Sequence, residues 1–172
     1  MKKFFLFLCF ASALVIIPGL STALPGLSIC VGPSLTVPLG DFADNTKNSW
    51  GVAANAFAGI PIMNIKLGGR VAYNSFGIKN SDENFSILEI TPSIRYSFFP
   101  LMVTDVYLQA GGGYYRLDSG GDTDNQIGIN AGFGIEGTVT PTMSVFVMPL
   151  YNLIFREDEN TSYLSINAGV KF

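Results

Sequence analysis

Histidine is absent from all 172 residues. That removes the Ser-His-Asp and Asp-His arrangements that activate nucleophiles in hydrolases, and the usual His-containing zinc sites. Cysteine is almost absent as well. Of Cys9 and Cys30, the first falls in an N-terminal apolar run, so a processed chain would keep one thiol and could form no internal disulfide. Cys30 lies beside Ser28 and Ser34 with no base to activate any of them, and reads as a buried structural residue. The stretch "LSIC" at 27–30 has the outline of a lipoprotein acylation site, but bulky Ile29 stands where such sites use a small residue. Charged residues make up only 13% of the chain, with 10 Lys and Arg against 13 Asp and Glu, and the net charge is −3. An acidic balance disfavours a nucleic-acid partner.

Long apolar runs are missing except at the start. "MKKFFLFLCFASALVIIPGLSTA" sets Lys2 and Lys3 before an apolar stretch from Phe4 to Ile17, then Pro18-Gly19, then small residues through Ala23. This is the pattern of a secretory signal, and cleavage after Ala23 is expected, leaving 24–172 as one domain. A membrane-anchoring helix is the weaker alternative, because spanning needs roughly 20 apolar residues. Loss of Lys2 and Lys3 would move the net charge from −3 to −5.

What remains alternates at two. Beyond Pro25 apolar residues recur at every second position, and turn residues interrupt them about every dozen. The pattern predicts strands over 27–38, 49–59, 64–76, 84–98, 104–117, 125–138, 142–155 and 161–172. They are long for a soluble protein but suit a tilted crossing of a bilayer, which takes about 9–11 residues. The connections alternate in kind. "LGDFADNTKN" (39–48), "GIKNSDE" (77–83), "DSGGDTD" (118–124) and "REDEN" (156–160) are polar and acidic, whereas "IPIM" (60–63), "FPLMV" (99–103) and "VTPT" (139–142) are tight and contain Pro. Loops at one end and turns at the other describe an all-β, eight-stranded antiparallel up-and-down barrel crossing an outer membrane.

The faces agree. In 125–138, Ile127, Ile129, Ala131, Phe133 and Ile135 oppose Gln126, Gly128, Asn130, Gly132, Gly134 and Glu136. In 84–98, Leu88, Ile90, Ile94, Tyr96 and Phe98 oppose Glu89, Thr91, Ser93, Arg95 and Ser97. A lumen of eight strands holds only side chains, too small a space for every apolar face, so a soluble lipocalin-like barrel fits less well than apolar-out in lipid. Strand 142–155 is apolar on both sides and leaves its register open. Trp50, Tyr73, Phe76, Phe85, Tyr114, Phe155 and Tyr163 near the loops, and Phe98, Phe99, Tyr107 and Phe172 near the turns, are expected to form two interfacial belts. Pro33, Pro92 and Pro149 fall inside strands, where each removes a ladder donor; either they mark bulges or the strand bounds lie a few residues away.

On "GPSLTVPLGDF" (32–42), "LQAGGGYYRL" (108–117) and "LSINAGVKF" (164–172), the chain resembles the small OmpA- and OmpX-type outer-membrane barrels, over essentially all of 27–172. The resemblance implies residence in the outer membrane of a bacterium with two membranes. It also implies that Leu164, Ile166, Ala168, Val170 and Phe172 form the closing-strand signal read by the barrel-insertion machinery, with Asn167 where Gly is common. Function does not follow from the fold.

Six ionisable residues should point inward: Lys66, Arg70, Glu89, Arg95, Glu136 and Lys171. They are expected to form an ionic network filling the lumen with Gln109, Asn55 and Asn130, and a pore selectivity element is the alternative. Gly111, Gly112, Gly113, Gly128, Gly132 and Gly134 would lie under aromatic neighbours such as Tyr107 and Tyr115. The acidic loop residues read as a solvated rim; a functional version would bridge divalent cations to lipopolysaccharide, with Asp118, Asp122 and Asp124 as a candidate cation site. No enzymatic activity and no cofactor are expected. A structural or surface-interaction role leads, with a narrow porin-like channel as the alternative.

Overall fold

The structure is a computed structural model that describes residues 26–79, 84–101, 103–119, 122–157 and 159–172; the expected signal segment 1–23 lies outside them. The alternating pattern becomes eight strands: β1 (Leu27–Leu39), β2 (Ser49–Gly59), β3 (Ile65–Gly77), β4 (Asn84–Pro100), β5 (Thr104–Ser119), β6 (Asp122–Thr140), β7 (Met143–Phe155) and β8 (Thr161–Lys171). Each pairs antiparallel with its neighbours in sequence, and β1 closes on β8, giving a barrel with no free edge. Closure gives every strand a hydrogen-bonded neighbour on both sides, as hydrocarbon demands. No helix among the described residues is long and apolar enough to cross a membrane.

The three in-strand prolines do not mark bulges. β1 pairs continuously with β2 through Pro33↔Val52, while towards β8 the ladder passes from Val31↔Val170 to Ser34↔Asn167 in unchanged register. Pro92 interrupts the β4–β5 ladder and Pro149 the β6–β7 ladder in the same way, between Ile90↔Tyr114 and Ser93↔Gly111, and between Gly132↔Leu150 and Ile135↔Val147. Each proline lacks a donor, so one flank of the ladder lapses while the other holds register. The register shifts occur instead at Ser97/Phe99 and Thr138/Thr140, near the turn end.

Two connections depart from the expected loops. β5 and β6 continue pairing through Asp118↔Thr123 and Ser119↔Asp122, so the expected 118–124 loop is mostly hairpin. The first loop contains a short helix, α1 (Asp41–Asn45), entered through Gly40 at φ 59°, where glycine avoids the Cβ clash. α1 is sewn to the next loop: Lys47 N donates to Gly77 O and Lys79 N to Asn45 O, both at 2.9 Å.

The interior is not uniformly polar. β7 turns Phe146, Met148, Leu150 and Ile154 inward with Ser144 and Asn152, and leaves Val145, Val147, Tyr151 and Phe155 exposed. Near the loops, Phe76, Ile87, Tyr115, Leu117, Ile154 and Tyr163 pack together, with Phe42 of α1 and Phe85 against them. Phe76, Phe85, Tyr107 and Tyr163 therefore belong to the interior and not to the belts. Each shares strand parity with an inward polar residue, such as Phe76 with Asn74 and Tyr163 with Asn167. Trp50, Tyr73, Tyr114, Phe98 and Phe99 remain exposed on the wall.

Candidate functional site

Alternation along β3, β4, β6 and β8 points one residue of every two into the lumen, and it places the inward charges in two groups. At mid-height Arg70 and Glu89 are both fully buried, with Nε 3.1 Å from Oε1. The same Glu89 oxygen accepts from Thr91 Oγ1 at 3.1 Å and from Asn130 Nδ2 at 2.8 Å. Arg70 Nη2 donates to Asn167 Oδ1 at 3.1 Å, so the group ties four strands together. A carboxylate desolvated this way is held by donors that replace water.

Closer to the turns, Arg95 lies between two rings, its guanidinium carbon 4.4 Å from the Phe57 centroid and 4.0 Å from that of Tyr107. Sandwiching of this kind uses the weak hydration and planarity of guanidinium. Arg95 also donates to Gln109 Oε1 at 3.0 Å and lies 3.7 Å from Glu136, which Lys171 also contacts. Gln109 in turn donates to Asn55 at 3.4 Å. Lys66 sits opposite Arg95 in the β3–β4 ladder and has no ion-pair partner among the described residues. Asp105, a further inward charge that belongs to no motif, accepts from Ser97 Oγ at 2.8 Å at the same mouth. Its parity with Tyr107 and Gln109 was the available signal. Cys30 is buried, its sulfur 3.9 Å from Arg95 Nη1.

Glycine makes room for the inward aromatics. A Cβ on Gly134 would fall 2.3 Å from the Tyr107 ring, and one on Gly128 would fall 2.7 Å from that of Tyr115. Both rings therefore press against bare backbone on β6, as a narrow lumen requires.

At the loop end the acidic residues are spread out. Asp118 faces one side of the β5–β6 hairpin while Asp122 and Asp124 share the other, so the expected cation site is not brought together. Asp118 lies 3.9 Å from Arg116, and Asp124 lies 3.7 Å from Arg156. Among the described residues no three acidic, Cys or His groups are placed to hold a metal. Asp82, Glu83 and Asp158 lie outside the described residues. A cleft of about 280 Å³ opens between α1 and the β7–β8 loop, lined by Asp41, Phe42, Asn45, Arg156, Glu159 and Asn160. There the Glu159 carboxyl is raised above its ordinary value, first by a hydrogen bond with the Asp41 side chain and then by that residue's charge.

The sequence matches the outer membrane protein beta-barrel domain family over residues 8–172. The chain belongs to that family. Its members are outer-membrane barrels of Gram-negative bacteria. Among solved structures it is similar to Neisserial surface protein A, at 18% identity and a TM-score of 0.69, covering 86% of this chain and 96% of that one. It is also similar to Ail, the attachment invasion locus protein of Yersinia pestis, at 18% identity and a TM-score of 0.55 over 87% of this chain and 100% of that one. OprG of Pseudomonas aeruginosa matches at 13% identity and a TM-score of 0.54, covering 85% and 95%. At these identities the likeness is one of fold. No curated protein sequence matches the chain.

Proposed function

We propose that this outer-membrane barrel is a rigid post whose lumen is filled by its own side chains and whose work is done by the acidic loop end. The observation that carries this reading is the pair of buried groups around Arg70–Glu89 and Arg95–Glu136–Lys171, topped by the aromatic cluster that Phe42 joins. Residues 1–23 act as a cleaved export signal, and 24–172 form the inserted domain, with β8 presented to the insertion machinery. The loops meet a surface ligand or lipopolysaccharide, the latter through divalent cations that bridge like charges. Ail, which has the same fold, is an attachment protein by name, and this supports a surface-interaction reading. No catalytic step is part of this reading, since the chain has no histidine to serve as base.

Calorimetry of the reconstituted barrel against purified lipopolysaccharide, with and without magnesium, tests it. Binding should weaken when Asp41, Asp44, Glu157 and Glu159 are changed to their amides, and when Asp118, Asp122 and Asp124 are changed likewise, with insertion unaffected. Equal binding by all forms would refute the loop assignment. A narrow conduit is the second reading, favoured by buried polar atoms with no protein partner, including both side-chain heteroatoms of Asn74 and the Tyr163 hydroxyl. Liposome swelling separates the two.

A further inference from the structure

The turn end of the barrel is most apolar on its β2–β5 side. Ile62 in the β2–β3 turn has φ 72°, a left-handed conformation that a β-branched residue rarely adopts, and its relative exposure is 107%. That backbone holds a bulky apolar side chain away from the barrel, where it touches little protein. Met63 beside it is exposed too, as are Phe99, Leu101 and Val103 of the adjacent β4–β5 turn. Ser97 N donates to Asn64 O at 2.9 Å, which joins the two turns into one rim.

Neither "IPIMNI" (60–65) nor "FFPLMV" (98–103) contains a charge. The nearest ones, Lys66 and Asp105, lie on inward positions beside Arg95 and Ser97. The third turn is more polar. Thr138, Thr140 and Thr142 surround Pro141 there beside one exposed apolar residue, Val139, and with Ser144 and Lys171 the threonines line a cleft open to solvent that Leu27, Met143 and Phe172 complete. Strained backbone that displays an apolar side chain calls for a functional account, and a contiguous exposed apolar patch marks an interaction surface. The rim is continuous with the wall, because exposed Leu67, Ile94, Tyr96 and Leu108 lead directly into it along β3, β4 and β5. The medium that covers those residues is lipid.

We propose that the β2–β5 rim is seated in the phospholipid interface of the periplasmic leaflet, with the β6–β7 turn left in water, so that the barrel sits deeper on its β2–β5 side. Trp50 is the single tryptophan, so Trp50→Phe supplies a silent background. Into it go Ile62→Trp, Leu101→Trp and, as the opposite rim, Thr142→Trp. Folded protein, selected by its heat-modifiable gel migration, is placed in phospholipid nanodiscs. The Ile62→Trp and Leu101→Trp proteins should emit at shorter wavelength than Thr142→Trp. They should also be quenched severalfold more strongly by lipids brominated near the headgroup, whereas Thr142→Trp should respond mainly to acrylamide. Acrylamide access at position 62 or 101 equal to that at 142 would overturn the proposal, as would lipid quenching equal at all three. A rim built for a protein partner gives the first of these outcomes in partner-free nanodiscs and counts against the lipid assignment.

Discussion

Arg70 and Glu89 meet inside the barrel at 3.1 Å, both shut off from solvent, and two more donors, from Thr91 and Asn130, converge on the same carboxylate oxygen. Removing one member leaves an uncompensated charge in a medium that solvates it poorly, a loss of about 3–5 kcal/mol in buried pairs. Arg70→Met or Glu89→Leu alone should therefore lower the urea midpoint of the bilayer-inserted barrel, and the double replacement should recover much of the loss. Additive losses would mean that the two residues act independently.

Phe42 is the point where α1 meets the barrel, its ring 5.2 Å from that of Phe76 and 5.7 Å from that of Phe85 in edge-to-face contact. Each such pair contributes about 0.5–1.5 kcal/mol beyond its burial. Phe42→Ala should speed hydrogen exchange at the Lys47 and Lys79 amides, which hold the first two loops together, while exchange in β4 and β5 stays slow. Unchanged exchange at both amides would show that α1 is held without the ring.

The cleft beside α1 should respond to acid. Glu159 has its carboxyl raised by the Asp41 side chain, so the folded loop binds that proton more tightly than the unfolded chain does. For a raised carboxyl the stabilisation is fully present below the ordinary value of about 4.3 and is lost as pH rises through the higher folded value. Docking of the β7–β8 loop on α1 should accordingly tighten on acidification, visible as shifts of the Asp41 and Phe42 amide resonances. Glu159→Gln should flatten that titration, and an unaltered titration in the variant would contradict the assignment.

Phe172 and Ile29 exchange both backbone hydrogen bonds, at 2.9 and 3.0 Å, at the seam between the first and last strands. Phe172→Asp puts a charge on the face of β8 shared with Ile166 and Val170, where the wall meets lipid. Unfolded protein should accumulate in the periplasm and the amount of inserted barrel should fall. Normal levels of correctly inserted protein would dismiss the closing-strand assignment.

Period-two alternation made the barrel legible, because one slip of register would turn every apolar residue into the lumen. It reached Arg70, Glu89, Arg95, Glu136 and Lys171 for the same reason. It failed where two rules competed. Phe76, Tyr107 and Tyr163 obey the alternation as inward residues, yet they lie near strand ends, where aromatics also mark interfaces. β7 looked ambiguous because the lumen itself is apolar around Phe146, Met148, Leu150 and Ile154. α1 was hidden because five residues carry no helical periodicity, and only Gly40 signals the turn into it. The separation of Asp118 from Asp122 and Asp124 depends on how far the hairpin pairs, which composition does not reveal.

Single-channel recording in planar bilayers tests the central claim most directly. With Arg95 held between Phe57 and Tyr107 and Phe76 and Tyr163 packed nearer the loops, the inserted barrel should give no steady conductance. A steady conductance whose size or ion preference shifts in Arg95→Ala would contradict it and make the barrel a channel.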